Sequence, residues 1–277
     1  MLFKSLLACL VLAASGAVLA HPGQHDQLQQ VNRHLEQAPT DQELYVQRGI
    51  IYSEGGQYDE AMADFQHART LGPPVLVAFQ LGVLCYRMQD YERAIGYLNA
   101  YLEQFPNYAP AYDYLARIAR DTGDYDLAVA QLETYFRLHE SPNPGHYLAA
   151  ANMLAETGRY EQALAIIDQG QATLGIIPQL QRAAIALEVQ RQQPEQGLQR
   201  LLTLQEMLGS SPAWRVDMAD LLIMVGRPDD ATAMAKAAQA ELMGLRPTPA
   251  RLALQQRATE LLSGLQVESL PAGAAVD

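Results

Sequence analysis

Apolar residues along this chain recur in pairs of short amphipathic stretches. The first clear pair covers residues 43–55 and 59–71. In each stretch apolar residues recur among polar ones, and in the first they are Leu44, Val46, Ile50 and Ile51. Spacings of three, four and seven between apolar positions are typical of an α-helix that buries one face. Gly56 separates the two stretches and Pro73 lies just beyond the second, and both residue types end helices. The pattern therefore predicts two helices joined by a tight turn.

A short block marks the turn of each pair and recurs six times. Its form is Gly-x-Tyr-Asp/Glu-x-Ala, and its last position falls at Ala61, Ala94, Ala128, Ala163, Gly197 and Ala231. The blocks are 33 to 35 residues apart. The aromatic position holds Tyr58, Tyr91, Tyr125 and Tyr160, followed by Pro194 and Pro228 in the last two blocks. A fixed period near 34 residues is typical of stacked helix pairs.

Each position of the block has a physical reason. Glycine tolerates the positive φ with which a chain leaves the end of a helix. An acidic residue after the tyrosine lies in the first turn of the next helix, where the helix dipole favours negative charge. Alanine suits a place where two helices approach closely, and larger apolar residues follow four positions later at Phe65, Leu98, Leu132 and Ile167.

These residues resemble the tetratricopeptide repeat family. The first repeat matches the family pattern at Gly49, Tyr52, Gly56, Tyr58, Ala61, Phe65, Ala68 and Pro73. The second repeat departs from it, with Cys85 and Tyr101 where Tyr and Ala are usual, and the last two repeats keep the period but lose the tyrosine. The resemblance implies an all-α fold, a right-handed superhelical solenoid of tandem helix-turn-helix repeats with capping helices at both ends.

The period divides the chain into segments. Residues 42–245 are expected to form about six repeats, namely 42–74, 75–108, 109–142, 144–177, 178–211 and 212–245. Residues 21–41 are expected to hold an N-terminal segment and a capping helix over 27–38. A second capping helix is predicted over 249–265, because a repeat array needs its end faces covered. Residues 266–277 are expected to be a flexible tail.

The first twenty residues have the pattern of a secretory signal peptide. Lys4 supplies a positive charge, an apolar run follows, and Val18 and Ala20 place small residues before His21. We therefore expect residues 1–20 to be removed and the mature protein to be exported, to the periplasm of a bacterium. The alternative is a lipid anchor at Cys9, since Leu6-Leu-Ala-Cys9 resembles a lipoprotein motif.

Charge and cysteine content narrow the choice of partner. The formal net charge is −12, which argues against nucleic acid because phosphate binding needs clustered Lys and Arg. No later segment is apolar for long enough to predict a membrane span. Without Cys9, only Cys85 remains, and its apolar helical context predicts a buried structural thiol rather than a disulfide.

Local motifs of catalysis are missing from the sequence. It contains no Gly-x-Ser-x-Gly, phosphate-binding loop, His-Glu-x-x-His or Cys-x-x-Cys. We expect a protein that is not an enzyme and needs no cofactor, with a site assembled across repeats as the enzymatic alternative. A second alternative is metal handling by the mature N-terminus, where the amine and ring of His21 and the ring of His25 offer nitrogen ligands.

The resemblance also indicates where a partner would bind. In the family the first helix of each repeat lines a concave groove, and the matching positions here include Val46, Ile50, Phe79, Val83, Tyr86, Tyr114, Arg117, Arg120, Asn152 and Arg182. The first part of this set is apolar and aromatic, and the middle carries arginines. We expect an extended protein or peptide segment whose apolar side chains meet Phe79 and Tyr86. Its acidic group or C-terminal carboxylate would meet Arg117 and Arg120.

One alternative removes the arginines from that interface. Asp113, Asp121 and Asp124 lie within four residues of Arg117 or Arg120. Pairs at this spacing often form on helix surfaces. In that case the arginines stabilise their own helix and leave recognition to the aromatic residues.

Overall fold

The computed structural model describes residues 22–268, which form fifteen helices and no strand. The predicted signal peptide with Cys9, His21 and residues 269–277 of the predicted tail lie outside this range. Residues 266–268, predicted to belong to that tail, are instead the end of the last helix. The all-α fold class predicted from the sequence is confirmed. No helix of the described range is both long enough and apolar enough to cross a membrane.

The chain divides into two compact units at Ile118 and Ala119. The helices that precede or contain this boundary are α1 (Pro22–Gln37), α2 (Gln42–Glu54), α3 (Tyr58–Leu71), α4 (Val75–Arg87), α5 (Tyr91–Gln104) and α6 (Ala109–Asp121). Unit 1 therefore comprises α1 to α5 and most of α6. Within it, α2 packs against α3 and α4 packs against α5, as antiparallel helix pairs require.

Unit 2 contains the remaining nine helices of the described range. They are α7 (Tyr125–Leu138), α8 (Pro144–Glu156), α9 (Tyr160–Leu174), α10 (Pro178–Gln190), α11 (Pro194–Leu202), α12 (Gln205–Leu208), α13 (Pro212–Met224), α14 (Pro228–Met243) and α15 (Pro249–Glu268). Sequence-adjacent helices pack as pairs, α8 with α9, α10 with α11 and α13 with α14, and α15 packs against α14. The same pairing of neighbours thus recurs in both units.

Close helix approach explains the small residues of the repeat. Ala61 and Ala94 in unit 1 are fully buried, as are Ala128, Ala163 and Ala231 in unit 2. A Cβ atom at Gly49 would lie 2.5 Å from the ring of Phe65, which no real contact permits. Small residues therefore set the distance between paired helices.

The backbone conformation at the first position of the repeated block is more regular than the residue type at that position. Gly56, Gly123, Gly158 and Gly226 have φ between 73° and 83°, and they begin four of the six blocks. Gln89 and Gln192 occupy the same position in the other two blocks, both with φ of 60°. The left-handed turn is therefore kept six times, although two of these residues carry a side chain that disfavours it.

Helix α1 begins five residues before the predicted helix over 27–38. Proline is well tolerated in the first turn of a helix, so Pro22 opens α1 rather than interrupting it. The early turn is held by Gln24, whose amide donates to the carbonyl of Ile51 at 2.9 Å. Val31 and Leu35 are each 7% exposed, and α1 packs against α2.

The second helix of the fifth repeat is broken at Thr203. The carbonyl of Leu201 accepts a hydrogen bond from the indole nitrogen of Trp214 at 3.1 Å, and Leu204 turns fully into the core. The Thr203 hydroxyl accepts from the amide of Gln181 at 2.6 Å. These contacts replace the regular helical ladder, so α11 ends early and α12 follows as a single turn.

Candidate functional site

Five aromatic side chains of unit 1 meet in what we call the aromatic cluster, formed by Phe79, Tyr86, Tyr101, Tyr108 and Tyr114. All five are half-buried. Phe79 lies at its centre, with ring centroids 5.6 Å from Tyr101, 4.9 Å from Tyr108 and 5.9 Å from Tyr114. Tyr101 and Tyr108 are 5.0 Å apart, and Tyr86 lies 5.5 Å from Tyr114.

Helix geometry explains why these rings converge. Phe79 and Tyr86 are seven residues apart on α4 and therefore share one face of it. Tyr114 of α6 contacts both of them in edge-to-face arrangements, with interplanar angles of 73° and 72°. Such pairs stabilise a cluster by about 0.5–1.5 kcal/mol each beyond their burial. The rings therefore form a preorganised surface rather than independent side chains.

Two further rings extend the aromatic cluster at its edges. Tyr91, at the start of α5, lies 6.1 Å from Tyr86. Phe105, just after α5, lies 4.7 Å from Tyr101 and is 38% exposed. An exposed phenylalanine beside half-buried tyrosines leaves apolar surface open to a ligand.

The tyrosine hydroxyls supply polar groups to this surface. In the described part of the chain, the hydroxyls of Tyr101, Tyr108 and Tyr114 make no side-chain hydrogen bond. Burial, with smaller contributions from Tyr101 and Tyr114, raises the pKa of Tyr108. A tyrosine hydroxyl is protonated at neutral pH even without this shift, so Tyr108 is a hydrogen-bond donor.

Arg117 lies at the edge of the aromatic cluster and is already paired. Its guanidinium donates to Asp113 at 2.8 and 3.0 Å and lies 5.4 Å from the ring centroid of Tyr114. Burial opposes its charge, but the hydrogen bond and the charge of Asp113 outweigh that effect and raise the pKa of Arg117. The ion pair offered as an alternative in the sequence is therefore present, and it compensates the charge next to the cluster.

The other groove positions of unit 1 are less available. Val46 and Ile50 pack against the core formed around Phe65 and Leu81, which is separate from the core beneath the aromatic cluster. Val83 is only 8% exposed. The structure thus brings Phe79, Tyr86 and Tyr114 together and places the three aliphatic residues mainly in packing roles.

The predicted groove residues of unit 2 do not form one site. Arg120 pairs with its neighbour Asp121 at 2.8 Å, and Asn152 is exposed on α8. Arg182 lies 3.5 Å from Asp217 across α10 and α13. Arg120, Asn152 and Arg182 therefore lie in three different local environments.

Arg182 opens a small cleft between α10, α13 and α15. Its apolar lining includes Ile185, Val189 and Met224, and a second ion pair joins Asp220 to Arg257 at 2.5 Å. Burial and the nearby charge of Asp220 raise the pKa of Asp217, against the opposing effect of Arg182. The cleft is thus rimmed by two carboxylates and two guanidinium groups.

Sequence reasoning missed Tyr101 and Tyr108. Tyr101 carried a signal, because it replaces the alanine usual in the family, and the structure places its ring against Phe79. Tyr108 lies in the loop before α6, where no helical period can assign it to a face. Its position became clear only once α5 and α6 were placed.

The proposed metal ligands are only partly within the described range. The ring of His25 is hydrogen-bonded to Gln29 at 2.8 Å, and His21 lies outside the range. Between Pro22 and Glu268, no group of three or more His, Cys, Asp or Glu side chains is arranged to hold a metal ion.

Comparison with known proteins gives a consistent result. The tetratricopeptide repeat model matches residues 46–109 and 115–173. The C-terminal part of a TPR repeat-containing protein from Cytophaga hutchinsonii is similar, with a TM-score of 0.66 and 15% identity over 87% of this chain and 95% of that chain. This likeness shows a shared fold.

Two further solved structures are similar at lower scores. A tetratricopeptide repeat protein from Parabacteroides merdae has a TM-score of 0.48 and 13% identity over 85% of this chain and 92% of that one. Yeast Tom70 has a TM-score of 0.43 and 15% identity over 87% of this chain and 43% of that one.

Proposed function

We propose that this chain is a scaffold that holds a partner at the aromatic cluster. Residues 46–109 and 115–173 match the tetratricopeptide repeat model. Repeat arrays of this kind bind protein partners along extended surfaces. The partner contributes an extended segment, and the chain performs no reaction on it. The observation that carries this proposal is the half-buried, preorganised group of five rings in unit 1.

Energetics favour the aromatic cluster over the other predicted groove positions. Large aromatic side chains dominate binding energy at protein interfaces, and tyrosine combines apolar area with a polar handle at a low cost in conformational entropy. Arg117, Arg120 and Arg182 already have acidic neighbours. A partner would gain little from an arginine unless it displaced that neighbour.

Site-specific photocrosslinking in the native host tests the proposal. A photoreactive phenylalanine analogue in place of Tyr86 keeps an aromatic ring in the cluster and should crosslink a specific partner. The same analogue in place of Gln66, an exposed residue of α3, is the matched control and should not capture that partner. Adding Phe79→Ala to the chain that carries the analogue in place of Tyr86 should abolish the crosslinked product. Identical products at both positions, or none at Tyr86, would refute the proposal.

The proposed location is the cell envelope of a bacterium. The pattern of residues 1–20 supports export, and the acidic charge of the chain suits a partner other than nucleic acid. N-terminal sequencing and intact mass of the protein from a periplasmic extract should give His21 as the first residue. Retention of Met1 would contradict this assignment. A lipid-modified Cys9 as the first residue would contradict cleavage before His21 and indicate a lipid anchor in the envelope instead.

A further inference from the structure

We propose that the segment recognised by the aromatic cluster is proline-rich and binds as a polyproline II helix. The proposal rests on the scaffold function and names its partner by chemistry. It is carried by three features of the cluster, which are its charge, its hydrogen-bonding groups and the spacing of its rings.

Charge complementarity points to an uncharged segment. The five members of the aromatic cluster are neutral, and the cation at its edge, Arg117, is bound to Asp113 at 2.8 Å. An acidic partner would have to compete with that carboxylate. A basic partner would meet Asp113 only by displacing Arg117. A segment of proline and small apolar residues brings no charge and disturbs neither group.

The hydrogen-bonding groups of the cluster point in the same direction. Tyr101, Tyr108 and Tyr114 present hydroxyls that bond no other side chain or backbone group of the described range, and each is a hydrogen-bond donor at neutral pH. A polyproline II segment has carbonyl oxygens without internal partners, and its prolines have no N–H group to satisfy. Donors on the protein therefore meet acceptors on the segment, with few donors left over.

Ring spacing fits the repeat of that helix. Phe79 and Tyr86 are separated by seven residues of α4, which corresponds to about 10.5 Å along the helix axis. One turn of polyproline II takes three residues and rises about 9 Å. Prolines three residues apart can thus lie against Phe79 and Tyr86, with Tyr114 between them at 5.9 and 5.5 Å. Aromatic-lined grooves recognise such segments because the bound conformation is already preferred in solution.

Calorimetric or NMR titration of the full chain with synthetic peptides tests this proposal. The probe is an acetylated and amidated peptide of three Ala-Pro-Pro triplets. One control replaces every proline by alanine, and a second ends in a free aspartate without prolines. The proline peptide should bind, and the alanine peptide should bind at least about tenfold more weakly.

Two matched variants separate the hydroxyls from general damage. Tyr108→Phe keeps the ring and removes the donor, so the affinity for the proline peptide should fall about threefold to tenfold. Tyr112→Phe is the control, because the hydroxyl of Tyr112 is occupied by the carbonyl of Pro106 at 2.8 Å, and its affinity should not change. Circular dichroism should confirm that both variants are folded.

Preference for the acidic peptide, equal binding of the proline and alanine peptides, or no binding of any peptide would each overturn the proline assignment. The scaffold function would still stand in those cases if the Tyr86 crosslink to a partner persisted. Loss of that crosslink together with undiminished binding of the proline peptide would instead contradict the scaffold function. The two proposals therefore fail in different experiments.

Discussion

Single residues of this protein differ in how well their polar atoms are satisfied. Tyr147 is fully buried and stacks on Phe136 with centroids 3.9 Å apart, and its hydroxyl has no hydrogen-bond partner within the described chain. A buried donor without a partner costs about 1–3 kcal/mol. The ring of Tyr147 therefore stabilises unit 2, whereas its hydroxyl does not.

Substituting Tyr147→Phe should raise the free energy of unfolding by about 1 kcal/mol, because the ring contact remains and the unpaired hydroxyl is removed. Urea unfolding followed by circular dichroism measures the change. Tyr112→Phe provides the comparison, since it removes a hydroxyl that donates to Pro106 and should lower stability by about 1 kcal/mol. A loss of stability in Tyr147→Phe would mean that the hydroxyl has a partner.

Asp217 offers a residue-scale prediction about pH. Its pKa is raised mainly by burial and further by Asp220, while Arg182 lowers it. Because its pKa is higher in the folded than in the unfolded chain, its contribution to stability is greatest below the unfolded pKa. That contribution is lost as pH rises through the folded pKa. NMR titration should find the pKa of Asp217 lowered in Asp220→Asn and raised further in Arg182→Gln. The opposite signs would refute this account.

At the scale of turns and helices, Gln89 and Gln192 hold the conformation that glycine holds in the other four blocks. Gln89→Gly should raise the free energy of unfolding by about 0.5–1 kcal/mol, since it removes the strain of a side chain at positive φ. Gln89 is exposed, so no packing is lost. Gln57→Gly is the control at a negative φ of −87° and should not stabilise. Urea midpoints of the two variants should move apart.

The helix pairs could be predicted from the sequence, whereas two of the helix ends could not. Period and apolar spacing predicted the helix pairs, because each pair must bury one stripe against its neighbour. The same reasoning missed the five-residue extension of α1, which depends on the bond from Gln24 to Ile51. It also missed the break after Leu202, which depends on Trp214 reaching the carbonyl of Leu201. Both features come from contacts between separate elements, which no local pattern encodes.

The candidate site divides in the same way. Phe79, Tyr86 and Tyr114 could be predicted because helix positions determine a face. Tyr101 and Tyr108 could not be assigned to it, because their place depends on how α5 meets the loop before α6. The pairing of Arg117 with Asp113 was one of two outcomes that the sequence allowed, and geometry decided between them.

Over the whole molecule, the two units should respond to damage separately. In a repeat array each repeat contacts mainly its neighbours, so a local defect stays local. Phe65 of unit 1 is 1% exposed, and Phe65→Ala should cost about 3–5 kcal/mol. Hydrogen exchange followed by mass spectrometry should show faster exchange in α2 to α5 and little change in α13 and α14. Leu222→Ala, in the core of unit 2, should give the reverse pattern. Uniform acceleration in both variants would argue for a single cooperative unit.

The fully buried thiol of Cys85 allows the opening of α4 to be measured, because its rate of alkylation reports how often α4 separates from its neighbours. Burial, the largest influence, raises the pKa of Cys85, so the native thiol is both inaccessible and protonated, and a thiol reagent reacts only when α4 separates from its neighbours. Phe79 and Tyr86 lie on the same helix, so a peptide bound at the aromatic cluster should keep α4 packed against its neighbours. The rate of Cys85 alkylation should therefore fall in proportion to peptide occupancy, whereas in urea it should be independent of peptide. If saturating peptide left the rate of Cys85 alkylation unchanged, peptide binding would not stabilise α4 against opening.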